Sequence, residues 1–226
     1  MLEAVILAGG RGLRLKGNTE IPKPFLIIKE PETILDCQVK WLVGHGFEHI
    51  ILAVSRPTFK YLRLHYSHYL NEPKIDISIE EEFVGTGGAL RNALDLIESS
   101  KFYLMNVDDV AYYDPNLLFA ASKNLNSILV QKAILPFGTV KFDSEMKVKS
   151  FEEKPQVDFY VSCGHYVLSR KDLFTLLPYE GGLEQKYLPQ IAKQGSLYVH
   201  VLKDKWITIN DYKQLLEARA LTMTEE

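Results

Sequence analysis

Near the amino terminus the segment GGRGLRLK (9–16), with three glycines and two arginines, directly follows an apolar run from Ala4 to Ala8. Five apolar residues without polar alternation suit a strand covered on both faces, and Gly9, Gly10 and Gly12 let the backbone bend sharply at its end. Backbone N–H groups gathered in such a turn form a concave donor surface for an anion, and Arg11 and Arg14 add fixed positive charge to it. The chemistry this combination serves is the holding of phosphate. Two familiar phosphate loops fail on spacing. A dinucleotide fingerprint begun at Gly10-Arg11-Gly12 needs glycine where Leu15 stands, and a P-loop needs Gly-Lys-Ser/Thr, which is absent. Alone, the glycine pair would be a tight turn with solvated arginines.

Other chemistry-bearing residues follow. Lys23 is pinned between Pro22 and Pro24, which restrict its backbone. Asp108 closes an expected strand, where ligands of open α/β sheets bind, and Asp109 competes with it. Glu80, Glu81 and Glu82 read by themselves as an acidic surface turn, and FEEKP (151–155) as a solvated turn after a strand. His65 and His68, three apart on an expected helix, have no third ligand nearby and read as an exposed helix face. The remaining histidines give no Ser–His or Cys–His arrangement.

The bulk composition narrows the partners. A net charge of −3 over 226 residues argues against nucleic-acid binding by bulk electrostatics, so any phosphate bound is small and locally held. Only Cys37 and Cys163 are present, far apart, which points to a reducing, cytoplasmic setting rather than a disulfide framework. No apolar run approaches the ~18 residues of a membrane span, and Glu3 sits where a secretory leader would be basic. The expectation is a soluble protein with no membrane partner.

The elements that must position these residues alternate. Strands are expected at 4–8, 49–55, 75–80, 102–108 and 127–135, with helical spacing at Leu35, Val39 and Leu42, at Leu90, Ala93, Leu94 and Ile97, and after Asp114-Pro115. This βαβ rhythm predicts a doubly wound, mostly parallel α/β sheet of Rossmann-like type. After Phe137 the pattern becomes GTVKFD, a turn-like DSEM, VKSFEEKP and YVSCGHYVL, which predicts a small antiparallel insertion. Helices are expected at about 169–177, 184–193 and 210–222. No linker or repeat divides the chain, so a single domain over 1–226 is expected, with a phosphate-binding half (1–135) and an elaborated second half (136–226).

LAGGRGLRLK followed by PKPF (22–25) resembles the sugar-1-phosphate nucleotidyltransferase family, whose opening is L-A-G-G-x-G-T-R-L with P-K-P some ten residues later. Gly9, Gly10, Gly12, Arg14, Leu15 and Pro22-Lys23-Pro24 stand in register, with Leu13 where threonine is usual. The resemblance continues in order through EEEFVGTGGAL (80–90), NVDDV (106–110), FEEKP, SCGHYVLS (162–169) and WITINDY (206–212), and so covers nearly the whole chain. It implies transfer of a nucleotidyl group from an NTP to a sugar 1-phosphate with release of pyrophosphate. A non-sugar acceptor such as phosphocholine, or a relative that binds without turnover, are the alternatives. Leu13, Val107 and Thr208 favour the non-catalytic one; homo-oligomerisation is left open.

The same resemblance implies roles. Arg14 matches the arginine at the β- and γ-phosphates, Lys23 the lysine near the α-phosphate, and Asp108 the aspartate that binds Mg²⁺. Leu7, Ala8, Gly9, Gly10, Gly12, Gly85, Thr86 and Gly87 would contact the nucleotide, although Thr86 also fits as a plain helix cap. Asn106, Glu153, Lys154 and Gly164 would receive the sugar phosphate, with Gly164 leaving room for the sugar. The family's second metal aspartate falls on Thr208, so Asp211 or Asn210 replaces it, or Asp108 and phosphates hold the metal alone. Counting back from Gly85 places the base-contacting residue at Glu80. A carboxylate offers only acceptors, which suits the two adjacent donors of guanine and disfavours pyrimidines. GTP is therefore the expected nucleotide.

Overall fold

The computed structural model describes residues 1–10, 21–177 and 179–222. In chain order the elements are β1 (Glu3–Leu7), β2 (Ile27–Lys29), β3 (Glu32–Thr33), α1 (Ile34–Gly44), β4 (His49–Ser55), α2 (Arg56–His65), β5 (Ile75–Glu80), α3 (Gly85–Ala93), β6 (Lys101–Asn106) and β7 (Asp109–Ala111). There follow α4 (Asn116–Ala121), β8 (Asn126–Ile134), β9 (Thr139–Phe142), β10 (Val148–Glu152), β11 (Gln156–Ser169), α5 (Arg170–Leu176), α6 (Leu183–Lys193), β12 (Leu197–Val201), β13 (Trp206–Thr208) and α7 (Tyr212–Thr222).

Seven strands form one sheet in the order β12-β8-β11-β6-β1-β4-β5. The pairs β6–β1, β1–β4, β4–β5 and β8–β12 are parallel, and β11 runs antiparallel between β6 and β8. This is the expected mostly parallel α/β sheet, and β9 and β10 form the expected antiparallel insertion. The insertion strand expected at 160–168 instead belongs to the main sheet, because β11 continues back to Gln156 and pairs with β6 and β8.

The absence of alternation in the first strand has its reason in packing on both faces. Ala4 and Ile6 join one buried cluster with Phe25, Ile50 and Tyr103, while Val5 and Leu7 join another with Ile51, Leu90 and Leu104. Each buried valine, leucine or isoleucine among them contributes about 1.5–3 kcal/mol relative to exposure. Among the described residues no helix is long and apolar enough to cross a membrane. His65 ends α2 and His68 lies in the following 3-10 turn; no group of three or more His, Cys, Asp or Glu able to hold a metal occurs among the described residues.

At the opposite end of the sheet from the strand C-termini, Glu3 is fully buried and accepts hydrogen bonds from the backbone N–H groups of Glu98 and Ser99 and from His49 Nδ1 (2.7 Å). His49 Nε2 in turn meets Asp76 Oδ2 at 3.0 Å. Burial alone would lower the His49 pKa, but its bonds to Glu3 and Asp76 outweigh that and raise it above the usual 6.5. A raised folded-state pKa contributes stability below the unfolded value, and this is lost as pH rises through the folded one. The stability difference between wild type and His49→Gln, measured by urea unfolding, is therefore expected to be larger at pH 6 than at pH 9. An equal difference at both pH values would show that the imidazole gains nothing from its two carboxylates.

Candidate active site

The chain passes from β1 to β4 and β5 on one side, then crosses back to β6 on the other. Ligands of open α/β sheets bind at such a reversal, outside the carboxyl ends of the strands. There a cleft of about 260 Å³ opens, lined at its centre by Leu7, Ala8, Gly9 and Gly10 after β1 and by Asn106, Val107 and Asp108 after β6. Lys23, Glu80, Gly85 and Thr86 complete its chemistry-bearing wall. Residues far apart in sequence meet because their strands end side by side. Gly12, Arg11 and Arg14 lie outside the described residues.

Lys23 opens a single 3-10 turn, Lys23–Phe25, with Pro22 before it and Pro24 inside it. Phe25 anchors that turn in the core, its ring stacked on Tyr66 at 4.7 Å. The lysine is thereby directed inward, and its Nζ lies 2.6 Å from Asp108 Oδ2, the two side chains 15% and 22% exposed. An ion pair this sheltered is screened far less than a surface one.

Glu80 ends β5 and is only 4% exposed, whereas Glu81 and Glu82 face solvent and Glu81 is hydrogen-bonded by Arg56. The three therefore do not form one surface turn. Among the described residues the hydrogen bond of Glu80 is a long one, 3.4 Å from Val84 N–H, and burial raises its pKa. A Cβ at position 9 would lie 2.0 Å from Glu80 Oε1 and 3.0 Å from the Ser55 nitrogen. Gly9 is what lets the carboxylate come up to the end of β1.

The GTGG segment begins α3 as expected, but Thr86 is not its cap. The N-cap position is Val84 with no side-chain bond, and the Thr86 hydroxyl accepts from Leu183 N–H (2.8 Å) and donates to Glu184 Oε2 (2.9 Å), tying α3 to the start of α6. Gly85 has φ +78°, and a Cβ there would meet the Gly181 carbonyl oxygen at 2.7 Å. Gly87 is buried away from the cleft and donates its N–H to that same carbonyl at 3.0 Å. The glycines here serve close backbone packing against the 179–182 loop. Nothing in the sequence marked that loop as their partner.

Asp108 and Asp109 divide sharply. Asp108 faces the cleft, while Asp109 is buried, its carboxylate accepting from Asn106 Nδ2 (2.9 Å) and Trp206 Nε1 (3.1 Å). Burial, then the neighbouring Asp108 charge, pushes the Asp109 pKa up to about 7 against these bonds and one with Thr208. The Asp109 carbonyl is held by Gln38 Nε2 (2.9 Å) and His165 Nε2 (2.8 Å). Sequence reading missed Gln38 and His165. A glutamine set among Leu35 and Leu42 on an otherwise apolar helix stripe was the available signal for the first.

Gly164 has φ +72°, and a Cβ there would fall 1.9 Å from Asp109 Oδ2 and 2.7 Å from Asn106 Nδ2. Its nearest constraint within the protein is thus the carboxylate–amide pair. Glu153 and Lys154 occupy an exposed turn between β10 and β11 and do not line the cleft. Thr208 pairs with Asp109 across the β7–β13 ladder, and its Oγ1 accepts from Asn210 Nδ2 at 3.0 Å. Asp211 is exposed and its Oδ1 accepts from Gln214 N–H at 2.9 Å, the geometry of a helix cap at the start of α7.

A family model described as Nucleotidyl transferase matches residues 3–225. The chain belongs to this family. Among relatives of this nucleotidyl transferase, mannose-1-phosphate guanyltransferase beta-A of Xenopus laevis is 30% identical over 232 residues, covering 95% of this chain and 63% of its own. Mannose-1-phosphate guanyltransferase of Aspergillus oryzae is 30% identical over 237 residues, covering 99% and 65%. The chain thus spans a little under two thirds of the length of these relatives. The crystal structure of HddC from Yersinia pseudotuberculosis superposes with a TM-score of 0.76 at 29% identity, covering 98% of this chain and all of that one. The same protein complexed with GMP-PN gives 0.74.

Proposed function

We propose that this nucleotidyl transferase moves a guanylyl group from GTP to a sugar 1-phosphate. The observation that carries the reading is the convergence, in one cleft, of the glycine turn, the Lys23–Asp108 pair and the buried acceptor Glu80. The guanyltransferase relatives and the GMP-PN complex of HddC support the choice of base.

A sugar-phosphate oxygen attacks the α-phosphorus, forming a new P–O bond as the bond to the β-phosphate oxygen breaks and pyrophosphate departs with the electron pair. Both reactants are polyanions, so the protein's part is positioning and neutralisation. Backbone N–H groups at Gly9 and Gly10 cradle phosphate, Lys23 leaves its ion pair to meet the α-phosphate, and Arg14 takes the pyrophosphate. Asp108, a cleft-facing carboxylate beside bound phosphates, fits the preference of Mg²⁺ for one or two carboxylates plus phosphate oxygens. Mg²⁺ held there would supply Lewis-acid neutralisation of developing charge. Glu153, Lys154 and Gly164 belong to the acceptor side, with the exposed 153–154 turn closing on the sugar phosphate. Synthesis of a nucleotide sugar in the cytoplasm is the setting that follows.

The test is pyrophosphate release by purified protein from GTP, dTTP, UTP, CTP and ATP, each against a panel of sugar 1-phosphates and phosphocholine. Turnover with GTP and a sugar 1-phosphate is expected. Release with phosphocholine alone, or with no acceptor at all, overturns the reading.

A further inference from the structure

The two halves of the cleft present different hydrogen-bonding characters, and one buried side chain decides the second. Across the sheet the order β5, β4, β1, β6, β11 places Glu80 at one end, the glycine turn in the middle and Asn106, with Gly164 beside it, at the other. Asn106 is therefore on the side away from the base, where the acceptor substrate must enter. A neutral amide can show a ligand either its carbonyl oxygen or its NH₂ group.

We infer that Asp109 is a positioning residue that turns the Asn106 amide so that its carbonyl oxygen, an acceptor, faces a hydroxyl of the acceptor sugar. The inference rests on the proposed transferase reading for the identity of that sugar. Its geometry is independent of it. The Asp109 carboxylate takes Trp206 Nε1 on Oδ1 at 3.1 Å, and an indole N–H can only donate. Oδ2 takes one of the two Asn106 Nδ2 hydrogens at 2.9 Å, which turns the NH₂ end of the amide inward and its oxygen the other way, toward the cleft.

The carboxylate is fixed by its side-chain bonds to Asn106, Trp206 and Thr208. Its backbone is held by Gln38 and His165 and lies in the β7–β13 ladder opposite Thr208. Gly164, whose Cβ would stand 1.9 Å from Oδ2, provides the space in which the pair exists. A functional group locked by packing and by a surrounding hydrogen-bond shell is what preorganised recognition requires. Hydroxyl groups of sugars donate readily, whereas a phosphate at neutral pH offers acceptors, so an oxygen here selects the carbohydrate part of the substrate.

The decisive experiment is a polarity swap. In Asp109→Asn the indole still donates to the new amide oxygen, which leaves an NH₂ group facing Asn106; Asn106 must then flip and show its own NH₂ to the cleft. KM for the sugar 1-phosphate is expected to rise about 10- to 100-fold, the usual consequence of a mismatched polar contact, with kcat and the KM for GTP little changed. The double variant Asn106→Asp with Asp109→Asn restores a donor–acceptor pair and an oxygen toward the cleft, and should bring the KM back to near wild type. An unchanged KM in Asp109→Asn, or no recovery in the swap, overturns the inference. A readout without turnover separates it from the transferase reading. One of the two Asn106 side-chain N–H signals in ¹⁵N spectra should be protected from water exchange in the wild type and lose that protection in Asp109→Ala. Two unprotected N–H signals in the wild type would also overturn it, whatever the substrates prove to be.

Discussion

Asp108→Asn is expected to lower kcat by roughly 10²-fold or more, far beyond its effect on thermal unfolding, because it removes a charge from the cleft without opening a cavity. The amide has the carboxylate's shape but neither its attraction for Lys23, 2.6 Å away, nor the hard anionic oxygen that Mg²⁺ seeks. Lys23→Ala should fall by a similar factor for the complementary reason, since the ammonium faces charge that grows in the transition state. Arg14→Ala should do likewise. Single-turnover rates, Mg²⁺ titration and a chelator control make the measurement. Near wild-type turnover in both Lys23→Ala and Asp108→Asn would show that the chemistry lies elsewhere, and full activity in chelator would remove the metal from the mechanism. Asp211→Ala separates the two candidates for the second ligand position. As a helix cap its loss costs about 0.5–2 kcal/mol of stability and no rate. A rate loss like that of Asp108→Asn would make it a ligand.

Glu80→Gln is expected to lower kcat/KM for GTP on the order of 10²-fold and to shrink its margin over UTP, dTTP and CTP. Guanine offers N1–H and its exocyclic amine side by side, and an ionised carboxylate meets both with acceptors, whereas the glutamine amide puts a donor against one of them. Because the carboxylate is buried, the wrong pairing leaves polar groups unsatisfied, which is where discrimination becomes large. Burial also raises the Glu80 pKa, so protonation begins at a higher pH than for an ordinary carboxylate. The kcat/KM for GTP should therefore decline more steeply on acidification in the wild type than in the glutamine variant, which lacks the Glu80 proton. A wild-type preference for a pyrimidine, or an unchanged ranking in Glu80→Gln, would reject the assignment and pass base choice to backbone groups around Gly85.

The local pattern alone determined most of the scaffold. An apolar run without alternation fits a strand covered on both sides, and the repetition of strand runs between helical stripes pointed to a mostly parallel doubly wound sheet. The positions of Gly9, Gly10, Lys23, Asn106 and Asp108 at the cleft follow from that, since each ends or follows a strand or sits in a proline-fixed turn whose spacing can be read along the chain.

What only the tertiary structure decided were the contacts between segments distant in sequence, for which spacing along the chain carries no information. Asp108 and Asp109 differ in role because one faces the cleft and the other meets Trp206, ninety-seven residues away. Glu80 leaves the acidic turn because Gly9 gives it room, and Thr86 serves α6 rather than α3 because Leu183 N–H and Glu184 come to it across the fold. Gly85 and Gly164 are glycines because another segment, at Gly181 and at Asp109, occupies the place of a side chain. Burial and donor–acceptor pairing, set by which segments come to lie side by side, fixed these roles.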